Sequence, residues 1–197
     1  YKLVEFIISC EHCSLENALK YYARVAAVAL ENQGDNGALF VQVFDANGQP
    51  LQGADVHIEN NQGTTTIDID ETTNNDGMFQ IVDAPTGTQA YEINVSKGSN
   101  YSVDRTYVVG EEENPVPDKP SANVVSGLVT QISFAIDKLS NLDVYTRRRS
   151  CDRVSNVDFN ISGSKTIGLD LYKHNEDEQT SANGRVSLNG IEWDNYI

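Results

Sequence analysis

The chain repeats one pattern of apolar stretches and turns at a distance of about a hundred residues. The first copy opens at Leu39 and reaches Gly53 fourteen residues later, and the second opens at Leu142 and reaches Asn156 after the same spacing. A pattern that occurs twice in one chain is typical of modular proteins built from similar units. It argues against a single cleft that carries out one chemistry.

Both copies have the sequence period of half-buried strands. Apolar and polar residues alternate, and short Asn-Gly and Asp-Gly turns separate the stretches. Phe79, Ile81, Tyr91 and Ile93 are expected to face one core. The sequence therefore predicts a mainly β fold of two tandem antiparallel β-sandwich modules, preceded by an N-terminal amphipathic α-helix. We expect the helical segment at 1–34, the first sandwich at 35–139 and the second, truncated at its end, at 140–197.

The N-terminal segment has apolar residues at helical spacing. Leu15, Leu19 and Tyr22 recur on one face between Ser14, a suitable N-cap, and Asn32. Residues 1–9 are mostly apolar and fit either an extension of this helix or a strand. No run of eighteen apolar residues occurs in the chain, so the sequence predicts no ordinary transmembrane helix.

The net charge and the cysteine content limit the functions that the chain can be expected to have. The net charge is −15 and the sequence pI is about 4.4, so the surface repels phosphate backbones and nucleic-acid binding is not expected. Cys10 and Cys13 form a C-x-x-C pair, for which a local disulfide or free thiols are favoured over zinc or redox chemistry, because no second ligand pair is present. No cofactor is expected.

A proline-rich loop lies towards the end of the first copy. Residues 111–121 hold three consecutive glutamates with Pro115, Pro117 and Pro120, which favours a stiff, exposed loop because proline cannot donate to a sheet. The second copy begins soon after the last strand of the first. The two modules are therefore expected to lie end to end with little freedom between them.

The order of strands and turns resembles a known fold family. The motif Gly-Ala-x-Val-x-Ile, then Thr-x-x-Asp-Gly-x-Phe, then Tyr-x-Ile-x-Val is similar to the prealbumin-like sandwiches called carboxypeptidase regulatory-like or CNA-B-type domains. The resemblance implies the fold more than a function, since such modules serve as stalks, spacers and binding domains. The residues that carry it are Gly53, Ala54, Val56, Ile58, Thr73, Asp76, Gly77, Phe79, Gly87, Tyr91, Ile93 and Val95, with Val157, Phe159, Ile161, Thr180, Gly184, Val186, Leu188 and Tyr196 in the second copy.

The first eight residues resemble a second family, the type IV pilins, whose mature chains begin with an aromatic residue and have glutamate at the fifth position. By this resemblance Glu5 would pair with the N-terminal amine of Tyr1 in a neighbouring subunit, and Leu3, Phe6 and Ile7 would pack between subunits. The resemblance implies self-association into a filament through residues 1–30, contact of the N-terminus with a membrane before assembly, and a location at the outer cell surface. Lys2 and the polar residues after Ser9 depart from the pattern.

Three functions are compatible with these observations to different degrees. The tandem units favour a non-enzymatic structural subunit of a cell-surface filament or an adhesin stalk. The alternative is a secreted carbohydrate- or Ca²⁺-binding module, with Trp193 for stacking and an acidic run for the cation. An enzyme is not expected, because the sequence shows no Ser-His-Asp grouping and no phosphate-binding glycine loop. The acidic run consists of Asp68, Asp70, Glu71, Asn74 and Asp76.

Overall fold

The computed structural model describes residues 2–8, 19–25, 35–60, 62 and 66–197. Within these residues the chain is built from strands, with one short 3₁₀ turn at Glu111–Glu113 and no α-helix. The strands are β1 (Lys2–Ile8), β2 (Leu19–Val25), β3 (Asn36–Phe44), β4 (Asp55–Asn60), β5 (Ile67–Thr72), β6 (Met78–Pro85), β7 (Gly87–Ser96), β8 (Asp104–Arg105), β9 (Ala122–Val124), β10 (Val129–Ala135), β11 (Ser140–Tyr145), β12 (Asp158–Ser162), β13 (Thr166–Gly168), β14 (Leu171–Tyr172), β15 (Asn175–Gln179) and β16 (Arg185–Ile191). No helix long and apolar enough to cross a membrane occurs in the described part of the chain.

Strands β3 to β10 form a first β-unit in which two sheets share one core. One sheet has the order β10-β3-β6, and the other has the order β5-β4-β7-β8 with β9 also paired to β7. Strand β3 runs parallel to β10 and antiparallel to β6. Burial alternates along β4 and β7, so each strand turns one side inward. Tyr91 and Ile93 are buried, and Phe79 and Ile81 pack against the same core, which confirms the predicted core set.

Strands β11 to β16, together with residues 192–197, form a second β-unit with a smaller core. Its strands pair as β11-β16, β12-β15 and β13-β14. Gly163 bridges to Tyr196, and Ser162 and Ile197 exchange two backbone hydrogen bonds of 3.0 and 2.9 Å. The core consists of Ile161, Leu188 and Ile191, with Val144, Phe159, Val186 and Tyr196 packed against it.

The two units repeat the same glycine turn. In the first, the Gly77 carbonyl accepts a hydrogen bond of 2.8 Å from the Val43 N–H, and in the second the Gly184 carbonyl accepts one of 3.0 Å from the Thr146 N–H. Both glycines have positive φ, 67° and 66°. A Cβ at Gly77 would lie 2.6 Å from the Val43 oxygen, and one at Gly184 would lie 2.7 Å from the Val154 oxygen. Glycine is required at both turns because the backbone is left-handed and a neighbouring strand is close.

A buried threonine also recurs at the same place in both units. The Thr73 hydroxyl accepts a hydrogen bond of 3.0 Å from the Ala54 N–H and donates one of 2.6 Å to the Leu51 carbonyl. The Thr180 hydroxyl accepts one of 3.0 Å from the Val157 N–H. Each hydroxyl ties the strand that precedes the glycine turn to the segment that opens β4 or β12.

In the N-terminal segment the structure describes residues 2–8 and 19–25, and both stretches are strands. Strands β1 and β2 pair antiparallel, with Glu5 opposite Tyr22, so the middle of the helix predicted between Ser14 and Asn32 is strand at residues 19–25. The remainder of that helix lies outside the described residues. Adjacent tyrosines in β2 and branched residues in β1 favour strand over helix. Since the resemblance to type IV pilins implies a helix from the first residue, the strand at residues 2–8 does not support it.

Candidate functional site at the joint between the two units

The segment that links the two units is hydrogen-bonded along its length. Strand β10 ends at Ala135 and β11 begins at Ser140. Between them, the Asp137 carbonyl accepts a hydrogen bond of 2.8 Å from the Ser102 N–H, and the Leu139 N–H donates one of 2.8 Å to the Asn100 carbonyl. These bonds attach the link to a loop of the first unit as far as Leu139, so almost no free chain is left before β11 begins.

Asn114 lies at the centre of the contact between the units. Its side chain is fully buried and its Nδ2 donates a hydrogen bond of 2.7 Å to the Ile167 carbonyl of β13. The same carbonyl accepts a hydrogen bond of 3.0 Å from the Asp118 N–H, and Pro117 bridges to Gly168. The loop at residues 111–121, which was expected to be exposed, therefore packs in part against the second unit. The expectation was wrong for Asn114 because its amide has a carbonyl partner more than fifty residues away.

The 3₁₀ turn before Asn114 holds that side chain in place. The Arg105 guanidinium forms ion pairs of 2.9 Å with both Glu111 and Glu112. Its hydrogen bond to Glu111 lowers the pKa of that carboxyl group, so the pair is charged at neutral pH. The Asn114 N–H then donates a hydrogen bond of 2.8 Å to the Glu111 carbonyl, which closes the turn.

Gly168 leaves the space that Asn114 occupies. A Cβ on Gly168 would lie 2.1 Å from the Asn114 Oδ1 atom and 2.6 Å from its Cγ. Side-chain carbons do not approach one another so closely, so any other residue at position 168 must displace the amide. The Asn114 Oδ1 atom is buried and has no hydrogen-bond partner among the described residues, so the amide is held through its Nδ2 atom.

Charged side chains surround a cavity of about 240 Å³ that both units line. Glu192 of the second unit pairs with Lys165 and Lys173 at 2.7 Å each, and only 16% of its side chain is exposed. Lys173 also donates a hydrogen bond of 2.6 Å to the Val103 carbonyl of the first unit. A hydrogen bond from a charged donor contributes more to stability than one between neutral groups, about 1.5–3 kcal/mol.

The residues predicted for assembly belong to the N-terminal segment. Leu3, Glu5, Phe6 and Ile7 belong to β1, and their role in assembly stays a prediction. Tyr1 lies outside the described residues. So do both members of the predicted disulfide, Cys10 and Cys13.

The acidic run does not form one cation site of the kind expected for Ca²⁺. Asp68 and Asp70 belong to β5, whereas Asn74 and Asp76 lie in the turn that follows. The Asn74 Oδ1 atom accepts hydrogen bonds of 2.9 and 3.0 Å from the N–H groups of Asp76 and Met78. Its oxygen is therefore engaged by the turn itself.

Comparison with known proteins gives structural likenesses only. No protein-family model matches the chain, and no curated protein sequence matches it. The Bacillus anthracis TIE protein is 13% identical with a TM-score of 0.38, over 91% of this chain and 31% of that one. A streptococcal ancillary pilin is 10% identical with a TM-score of 0.37, over 97% of this chain and 63% of that one. A variant of the shaft pilin SpaA from Lactobacillus rhamnosus GG is 11% identical with a TM-score of 0.32, over 79% and 82% of the two chains.

The chain thus spans about a third of the length of the first of these structures and under two thirds of the second. None of the three TM-scores reaches 0.5, so function has to be inferred from the chain's own contacts.

Proposed function

We propose that this chain is a non-enzymatic structural subunit of a cell-surface filament or an adhesin stalk, in which the two β-units act as one stiff spacer. The observation that carries the proposal is the buried joint, where Asn114 of the first unit bonds to the Ile167 carbonyl of the second at 2.7 Å. A spacer has to hold its units in a fixed direction. A joint that combines a buried amide, a hydrogen-bonded link and a hydrogen bond from Lys173 to the Val103 carbonyl of the first unit provides that property.

The surface charge fits the same role. A net charge of −15 on 197 residues favours solubility and discourages contact with anionic lipid and nucleic acid. The presence of two distinct cores also favours a spacer over a protein with one central ligand cavity, because each unit buries its own apolar residues.

Electron microscopy of material sheared from the native cell surface tests the proposal, with the chain identified by mass spectrometry. We expect filaments or stalks that contain the chain. Recovery of the chain only as free monomers in the medium would overturn it.

We place self-association in residues 1–30, with Tyr1, Leu3, Glu5, Phe6 and Ile7 as the residues to test. Strands β1 and β2 form a sheet of their own, and a two-stranded sheet is only marginally stable in water without a partner surface. A second copy of the chain would supply that surface. The assembly is proposed through a strand hairpin and does not require the helix of a type IV pilin.

Sedimentation of the full chain and of a Phe6→Asp variant tests this assembly step. The unaltered chain should form multimers at high concentration, and a charge in the apolar strand should shift it towards the monomer. A Val108→Asp variant is the matched control, because it places the same charge at an exposed apolar position of the first unit. Equal sedimentation of all three proteins would refute the role of residues 1–30.

A further inference from the structure

Two neighbouring strands of the first unit bring a histidine and three carboxylates together on the outer face of the sheet. Strand β4 carries His57 and Glu59, and strand β5 carries Asp68 and Asp70. The register sets Asp70 directly opposite His57 and Asp68 directly opposite Glu59. Residues two apart on a strand share a face, so all four side chains belong to one surface.

We propose that His57, Glu59 and Asp68 bind a divalent transition metal ion, with zinc as the ion that best fits the donors. Each of the three offers one ligand atom, and these atoms lie within 4.8 Å of one another. Zinc bound to histidine and carboxylate has metal–ligand distances of about 2.0–2.2 Å, so side-chain rotations alone would bring the three atoms into reach. The fourth position of a tetrahedral site would be taken by water.

Asp70 supplies the second partner that metal-binding histidines need. Its Oδ1 atom lies 2.8 Å from the His57 Nδ1 atom, while the His57 Nε2 atom lies on the side of Glu59, at 3.0 Å. A carboxylate that accepts the Nδ1 proton fixes the ring and the tautomer, which leaves Nε2 free to bind a metal. The site is therefore more than a group of acids, because the histidine is oriented by one carboxylate towards two others.

The charges around Glu59 favour a cation at this place. Glu59 is opposite Asp68 on one side and opposite Glu92 on the other. Like charges directly across a pair of strands are destabilising, and a doubly charged ion would relieve that repulsion.

The site is accessible to an ion from solvent. The side chains of His57 and Glu59 are 39% and 41% exposed. Surface hollows of about 630 and 180 Å³ lie on either side of His57, the larger beside Asp70 and the smaller beside Glu59. Binding would thus need no opening of the sheet.

The donor set separates zinc from calcium. Calcium binds six to eight oxygen atoms, whereas imidazole nitrogen is a good ligand for zinc, copper, nickel and iron. The proposal does not depend on the spacer function, since a cross-strand metal site would pin β4 to β5 in a protein of any role.

Titration calorimetry with ZnCl₂ at pH 7 on the full chain is the test. Cys10 and Cys13 with the histidine between them are a second place where zinc could bind, so both are changed to serine in the protein used. We expect one ion per chain, and an affinity that falls at least about tenfold in His57→Gln. Asp70→Asn should weaken binding about 10- to 100-fold, because it removes the carboxylate that orients the His57 ring while the three ligands stay in place.

His174→Gln is the matched control, because this histidine also lies near a glutamate, with Nδ1 at 3.9 Å from Glu176, but belongs to no three-ligand group among the described residues. It should leave zinc affinity unchanged. Circular dichroism checks that each variant is folded. If His57→Gln does not fold, Glu59→Gln serves as the second ligand variant. Equal zinc binding by the parent protein with both serines and by the two ligand variants, no binding at millimolar zinc, or tighter binding of Ca²⁺ than of Zn²⁺ would each overturn the proposal.

Discussion

Replacement of Gly168 by alanine should open the joint between the two units. The added methyl group would lie 2.1 Å from the Asn114 Oδ1 atom, so the buried amide has to leave its position. The hydrogen bond of 2.7 Å to the Ile167 carbonyl is then lost. The carbonyl itself stays paired, because the Asp118 N–H donates to it at 3.0 Å.

The size of the effect follows from three contributions. Loss of one hydrogen bond costs about 1 kcal/mol. Crowding of a well-packed site costs a further 1–3 kcal/mol or about 2 on average. Alanine in place of glycine recovers about 0.7 kcal/mol, because the unfolded chain has fewer conformations to lose. The expected net destabilisation is therefore about 2 kcal/mol.

Urea unfolding of Gly168→Ala, Asn114→Ala and the double variant measures this contribution as a double-mutant cycle, and Trp193 fluorescence reports on the second unit. With alanine at position 114 the methyl group has room, so Gly168→Ala should cost little in that background. The coupling energy between the two sites should be about 2 kcal/mol. Small-angle scattering should show a wider distribution of shapes for Gly168→Ala alone. Additive effects to within about 0.5 kcal/mol, with unchanged scattering, would refute the packing argument.

Three further predictions concern turns and one carboxylate. Gly77→Ala should destabilise the first unit by about 3 kcal/mol in thermal unfolding, because the cost of a left-handed backbone adds to that of a close contact. Gly48 also has a positive φ but has open space around it, so Gly48→Ala should cost only about 1 kcal/mol in the same assay. Cys151→Gly should raise the free energy of unfolding by about 0.5–1 kcal/mol, since this exposed cysteine has φ 69° at the turn position where the first unit has Gly48. A loss of stability would contradict this prediction. Burial alone would raise the pKa of Asp194, but hydrogen bonds from the Ser164 hydroxyl and two backbone N–H groups lower it overall. Its stabilisation is therefore present above the ordinary value of 3.8 and is lost as the pH falls through the lowered pKa. Asp194→Asn should flatten the pH dependence of unfolding in that acid range, and unchanged curves would refute this.

Sequence patterns predicted the first core because strand period and burial coincide there. Ile58 and Ile93 alternate with polar residues, and the structure pairs them directly across β4 and β7. The turn at Gly77 was also predictable, since Asn-Asp-Gly demands a left-handed residue. In such places local preference and global packing agree.

The joint was not predictable from the same patterns. Asn114 follows three glutamates and precedes a proline, which is the composition of an exposed loop. Its burial depends on a carbonyl in β13 and on the absence of a side chain at Gly168, and neither partner is near it in sequence. Contacts of this kind appear only once the two units are packed against each other.

The histidine site had a signal that the sequence alone did not make specific. His57 and Glu59 alternate on one strand, and Asp68 and Asp70 alternate in the same way on the next. Only the register decides which acid faces which residue, and a slip of one position would send all of them to the other face. The acidic run was thus recognised, but its histidine partner was not.

The parallel pairing of β3 with β10 has a mechanical consequence. These are the first and last long strands of the first unit, with Val129 beside Ala38 and Ala135 beside Phe44. If the first unit is pulled at both of its ends, the force acts on the start of β3 and on the end of β10. These two points are then pulled in opposite directions along the strand axis. The hydrogen bonds between them are then loaded in shear and have to break together, whereas a hairpin pulled at its open end would unzip one bond at a time. Several such units in series would therefore resist a pulling force before any of them unfolded.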